Sequence, residues 1–210
     1  MKQVTPKQLL CFTAGTALNA LGISLVTKAY LGTSPISSLP FVLSLGLTPT
    51  FGELTFAFNM LFLVGQILLQ RRNFPMIQLL QIPVTVVFSI LIDLFMHLFR
   101  HIKPEHYLLS LILLFCGCCV MALGITLSIR AHFLMTPADA FVRALADYRS
   151  RPFGSVKVRF DTLLMILAVI CSFHLFGRFR GVREGTLFSS FLVGNIINFY
   201  QRHLPEFELS

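Results

Sequence analysis

The sequence predicts an all-α, polytopic membrane helix bundle of six transmembrane helices, and three observations predict it. Hydrophobic residues make up 55% of the chain and charged residues only 12%, whereas soluble proteins average about 25% charged residues. The apolar residues fall in uninterrupted stretches of roughly 17–24 residues, and a helix of about 20 residues spans a bilayer core. The segments 8–99 and 107–201 also repeat one another at a constant offset of 102 residues, the kind of internal periodicity that decides an architecture.

The first apolar run extends from Leu9 to about Thr27 after the start MKQVTPKQ. It is longer than a signal-peptide core, and no small-x-small cleavage pattern follows it. It is read as a retained spanning helix, 8–27. Further spans are expected at 53–70, 76–99, 107–129, 158–176 and 185–201. Pro83 interrupts the third, which a membrane helix tolerates where neighbours satisfy the freed carbonyl.

Two shorter segments, 35–47 and 137–149, open with Ser34-Pro35 and Thr136-Pro137. A hydroxyl N-cap followed by proline at the first helical position is a helix start. At about 13 residues each is too short to cross, so each is expected to be an interfacial or re-entrant helix. Asp139 follows Thr136 by three residues and approximates a capping box. Asp139, Arg143 and Asp147 are spaced by four, share a face and can pair.

The repeat is more than shared hydrophobicity. Ala20-Leu21-Gly22-Ile23-Ser24-Leu25 aligns with Ala122-Leu123-Gly124-Ile125-Thr126-Leu127. At the same offset Gly15 falls on Gly117, Lys28 on Arg130, Pro35 on Pro137 and Phe51-Gly52 on Phe153-Gly154. The expected units are therefore 1–105 and 106–210, integrated into one membrane domain. Three crossings per half is an odd number, which predicts inverted repeats, a common plan among secondary transporters. With six crossings, eleven of the 17 Lys and Arg residues fall on the N-terminal side, and the positive-inside rule then places the N-terminus in the cytoplasm. If the short segments also crossed, the repeats would be parallel and the bias would nearly vanish.

The net charge of +8 does not indicate nucleic acid. The basic residues sit at the ends of apolar runs, where cytoplasmic loops collect them, so the expected partner is the lipid bilayer. Cys116-Gly117-Cys118-Cys119 falls on Ala14-Gly15-Thr16-Ala17. These cysteines replace small packing residues, and their spacing does not suit a tetrahedral metal site. No phosphate-cradling loop, HExxH helix or nucleophile elbow is present. Neither catalytic residues nor a cofactor are expected.

Polar groups inside apolar runs are expensive and carry functional expectations. Asn59 and Asp161 are equivalent, and so are Asp93 and Asn195. Each half holds one carboxylate and one amide in exchanged places, and the four are expected to line a central cavity. The helix starts at Ser34 and Thr136 direct free N–H groups outward. With Lys28 and Arg130 ahead of them they would attract an anion. Gly15 and Gly22, like Gly117 and Gly124, lie seven apart on one helical face, where small residues permit close helix packing.

The pattern LGISLVTKAYLGTSPISSLP, then TFGELTFAFN, then the EGT…GN segment resembles the bacterial YczE/YyaS/YitT group of membrane proteins, with the YczE-like branch most similar. The resemblance covers nearly the whole chain and implies a bacterial cytoplasmic membrane location and a multi-helix fold. It implies no substrate and no catalytic residues. The function expected from the residues is a small secondary transporter or permease for a small, anionic metabolite. Its size suits a homodimer. The alternative is a non-transporting scaffold, assembly or regulatory subunit, including a substrate-binding subunit of a larger importer. A wet cavity between the halves would favour the first reading and a dry bundle the second.

Overall fold

A computed structural model describes residues 6–131 and 133–203; Lys2, one of the basic residues counted above, lies outside them. The described residues form eight α-helices in the order α1 Pro6–Lys28, α2 Pro35–Ser44, α3 Phe51–Gln70, α4 Gln81–Leu98, α5 Tyr107–Arg130, α6 Pro137–Tyr148, α7 Phe153–Phe176 and α8 Glu184–His203. Two 3₁₀ segments, Arg71–Asn73 and Met76–Leu80, join α3 to α4. Five segments, Lys7–Lys28, Phe51–Asn73, Met76–Leu98, Tyr107–Arg130 and Phe153–Phe176, are long and apolar enough to cross a membrane. The chain is an integral membrane protein. The sixth expected span is present as helix α8, but Glu184, Asn195, Asn198, Gln201, Arg202 and His203 make it more polar than the other five.

The helix starts follow local chemistry. Thr136 accepts a hydrogen bond from the Asp139 amide at 3.3 Å and donates to its carboxylate at 3.0 Å. At Ser34 the outcome differs. Its hydroxyl donates to Ser37 Oγ at 2.9 Å and caps no backbone amide. Thr50 and Glu53 close a reciprocal capping box on α3, with bonds of 2.8 and 3.1 Å, satisfying two otherwise free donors. Pro83 does not interrupt a helix. It lies in the first turn of α4, where its missing N–H costs no intrahelical bond.

Helices α1 and α5 pack along each other, with α4 against α1 and α8 against α5. This group has its own core, including Ala20, Ile23, Val26, Ile92, Leu114 and Met121. Both short helices touch both α3 and α7. They therefore sit between those two long helices, α2 with no exposed residue and α6 with Arg143, Asp147 and Tyr148 exposed. Val42 of α2 and Val142 of α6 are fully buried. Phe58, Phe62, Phe141 and Phe160 fill the junction with ring centroids 5.3–6.3 Å apart, a spacing at which tilted and edge-on rings attract.

The contact between α1 and α5 depends on glycine. A Cβ on Gly22 would lie 2.6 Å from Met121 Cα, and one on Gly124 would lie 2.6 Å from the Gly15 carbonyl oxygen. At Gly15 it would meet Ser128 Oγ at 2.6 Å, and at Gly117 the Val26 amide at 2.8 Å. All four distances are below any van der Waals contact, so the backbones approach only because no side chain stands between them.

Candidate solute site

A cavity of about 50 Å³ lies where α1, α3, α4, α5 and the start of α6 meet. Among the described residues its polar lining is neutral: Thr16 and Asn19 from α1, Asn59 from α3, Gln81 and Thr85 from α4, Ser128 from α5 and Thr136 at the start of α6. Phe12, Phe88, Leu134 and Met135 supply apolar walls. Thr16 and Ser128 spend their hydroxyl protons on backbone carbonyls one turn earlier, at 2.8 and 3.0 Å. Gln81 is different. It is only 1% exposed, and neither its amide nitrogen nor its amide oxygen has a protein partner. Asn19 Oδ1 is also buried without one. A buried amide without partners costs about 1–3 kcal/mol in mutational data, so these atoms are expected to meet water or a solute in the cavity.

The polar lining continues along α4. Gln81, Thr85 and Ser89 are four residues apart and buried, so they form one stripe. The Ser89 hydroxyl is unpartnered as well. Beyond Gln81, the amide nitrogen of Gln66 donates to Gln78 Oε1 and, at 3.3 Å, to Gln70 Oε1. At the far end of the stripe stands Asp93. Its Oδ1 accepts from the Gly52 amide at 2.7 Å and its Oδ2 from the Thr50 hydroxyl at 2.6 Å. A carboxylate placed there completes the N-terminus of α3 and favours its positive end. A Cβ on Gly52 would lie 2.5 Å from Asp93 Oδ2, so glycine is what lets the clamp close.

The four paired polar residues do not meet in one hollow. Asn59 lines the cavity. Asp93 binds the start of α3. Asp161 lies across the bundle, where Lys157 Nζ stands 3.1 Å from it and 2.9 Å from Asp139. Asn195 is exposed on α8, with its amide donating to the Phe191 carbonyl at 2.8 Å. The physical reason is the position of α2 and α6, which both pack between α3 and α7 and so keep Asn59 apart from Asp161. Of the two helix starts, Thr136 reaches the cavity and Ser34 does not. Lys28 and Arg130, at the last residues of α1 and α5, also lie outside its lining. Arg130 donates to the Gln201 carbonyl at 3.0 Å.

Sequence reasoning missed Asn19, Gln81 and Thr85. A signal existed for two of them: Gln81, Thr85 and Ser89 recur every four residues in an otherwise apolar run, one face of a helix. It also missed Lys157 as the partner of Asp161 and Asp139. Asp139 was expected to pair with Arg143, yet it pairs with Lys157, while Arg143 pairs with Asp147 at 3.7 Å.

The EGT segment has a structural role. The Gly185 amide donates to the Leu31 carbonyl at 2.8 Å. Thr186 Oγ1 accepts from the Thr33 amide at 3.3 Å, and Ser189 donates to the Thr33 carbonyl at 3.3 Å. The first turn of α8 is thereby fastened to the turn after α1.

The pattern of a family of unknown function, DUF6198, matches residues 6–202. The chain is also similar to a protein described as "Uncharacterized protein YyaS" of Bacillus subtilis (strain 168), with 26% identity over 188 residues, covering 89% of this chain and 88% of that protein. No solved structure matches.

Proposed function

This chain belongs to the DUF6198 family, and from that premise and the neutral polar cavity we propose that it is a small membrane permease. The solute is a small polar metabolite held between α1, α3, α4 and the start of α6. Asn59, Gln81 and Asn19 supply the hydrogen bonds. The observation that carries this reading is the fully buried, wholly unpartnered amide of Gln81 facing the cavity. A structural bundle gains nothing from such a group, whereas a solute site needs donors and acceptors kept free. Among the described residues no charged side chain lines the cavity, so it favours a neutral solute over the anion that Lys28 and Arg130 suggested.

At about 50 Å³ the cavity holds a few water molecules, each needing about 10–15 Å³. A metabolite needs a wider conformation. Movement of one repeat against the other would supply it. Two-copy organisation is supported by the way contacts exchange at the 102-residue offset: α1 with α4 corresponds to α5 with α8, and α2 with α7 to α6 with α3. The excess of Lys and Arg on the N-terminal side supports a cytoplasmic N-terminus in a bacterial cytoplasmic membrane.

One observation favours a second reading, a non-transporting partner of another membrane protein: Asn195 and Asn198 share an exposed face of α8, suited to a polar helix–helix contact. Thermal-shift screening of the purified protein against small metabolites, followed by flux of any hit into proteoliposomes, separates the two. A hit lost in both Asn59→Ala and Gln81→Ala, with flux abolished, is expected for the permease. Hits that are unchanged in both variants would reject this cavity as the site.

A further inference from the structure

A second hollow, about 410 Å³, lies at the other end of α6, where the chain turns into α7. Three guanidinium groups rim it: Arg149 and Arg151 from the turn and Arg159 from the second turn of α7. Its floor is apolar and includes Leu145, Phe160 and Leu163. All three arginines are exposed, and no side-chain hydrogen bond or ion pair engages them among the described residues. The nearby carboxylates are already committed. Asp147 pairs with Arg143, and Asp139 and Asp161 hold Lys157.

We propose that this groove binds an anionic phospholipid, with the phosphate on the three arginines and an acyl chain along the apolar floor. Charge complementarity and position argue for it together. A soluble anion needs the arginines but not the apolar floor. A neutral lipid needs the floor but not three uncompensated cations. Guanidinium forks bind phosphate oxygens in pairs, and basic pockets beside membrane helices bind anionic headgroups. The floor residues Phe160 and Leu163 belong to α7, one of the five apolar spans, so the groove opens along the helix that the lipid chains surround.

Native mass spectrometry of the full chain with defined lipids tests the assignment. The protein should retain phosphatidylglycerol over phosphatidylcholine. Each of Arg149→Gln, Arg151→Gln and Arg159→Gln should lower that preference about fivefold, the contribution expected of one basic residue at a lipid surface. Combining the three should abolish it. Arg100→Gln with Lys103→Gln, outside the groove, should leave it unchanged, and millimolar inorganic phosphate should not displace the lipid. Equal retention of both lipids, an undiminished preference in the three single variants, or displacement by inorganic phosphate would overturn the proposal. The single variants decide the matter even if the triple variant does not fold.

Discussion

The 102-residue offset brings two regions into register, and they solve the same problem with opposite chemistry. In the first region Ser37, Thr55 and Asn59 are all neutral. Ser37 receives the Ser34 hydroxyl, Thr55 donates to the Phe51 carbonyl at 2.7 Å, and Asn59 faces the cavity. The positions 102 residues later are Asp139, Lys157 and Asp161, which form a three-member ion cluster between α6 and α7. The third helices diverge too. Asp93 clamps α4 to the start of α3, whereas Asn195 turns back onto its own helix. Accordingly α3 packs against α4, while α7 and α8 make little contact. Matching placement therefore does not preserve role: Asn59 faces the cavity, whereas Asp161 is spent on Lys157.

Breaking what the two regions share should have the largest effect. Gly22 and Gly124 both sit where α1 and α5 touch through backbone. Gly22→Val and Gly124→Val should each cost about 3 kcal/mol or more, at or above the upper end for overpacking, read as loss of folded protein in a detergent melt. Next comes the ion cluster. Lys157→Met leaves two carboxylates facing each other and should cost about 2 kcal/mol, between the values for exposed and buried pairs because the groups are about a quarter exposed.

The comparison sharpens if the first region's residues are moved across. Asp139→Ser, Lys157→Thr and Asp161→Asn combined should recover most of the stability lost in Lys157→Met, because removing a whole ion cluster is far less costly than breaking it. A triple variant no more stable than Lys157→Met would show that the ions hold α6 in place. Asp93→Ala should cost about 1.5–3 kcal/mol, the range for hydrogen bonds to a charged group, while Asn195→Ala in the same melt should shift by under about 0.5 kcal/mol. The smallest effect is expected at Gly154. A Cβ there meets nothing within 4 Å, so Gly154→Ala should be neutral or stabilising by up to about 1 kcal/mol through helix propensity.

Much of this was legible from residue order. Apolar run lengths located the long helices, Ser34-Pro35 and Thr136-Pro137 marked both short ones, and the glycine spacing marked the α1–α5 contact. The scattering of the four paired residues has one cause. A constant sequence offset says which residues align, but not what stands between them. Asn59 and Asp161 match in sequence, yet the short helices α2 and α6 pack between their helices, a placement that residue spacing does not give. Lys157 was hidden differently: it falls one residue before the expected span 158–176, yet it pairs with Asp161 one turn on.

The central claim is that the hollow beside Gln81 is wet while the apolar core around Ile92 is dry. Cysteine accessibility in intact membranes tests it most directly, using a chain whose five native cysteines are replaced and single cysteines are introduced at Thr85, on the cavity wall, or at Ile92, buried in the α1–α5 core. The expected result is that a small water-soluble thiol reagent modifies Thr85→Cys and spares Ile92→Cys. Equal silence at both positions would contradict it, and the bundle would then be a dry scaffold.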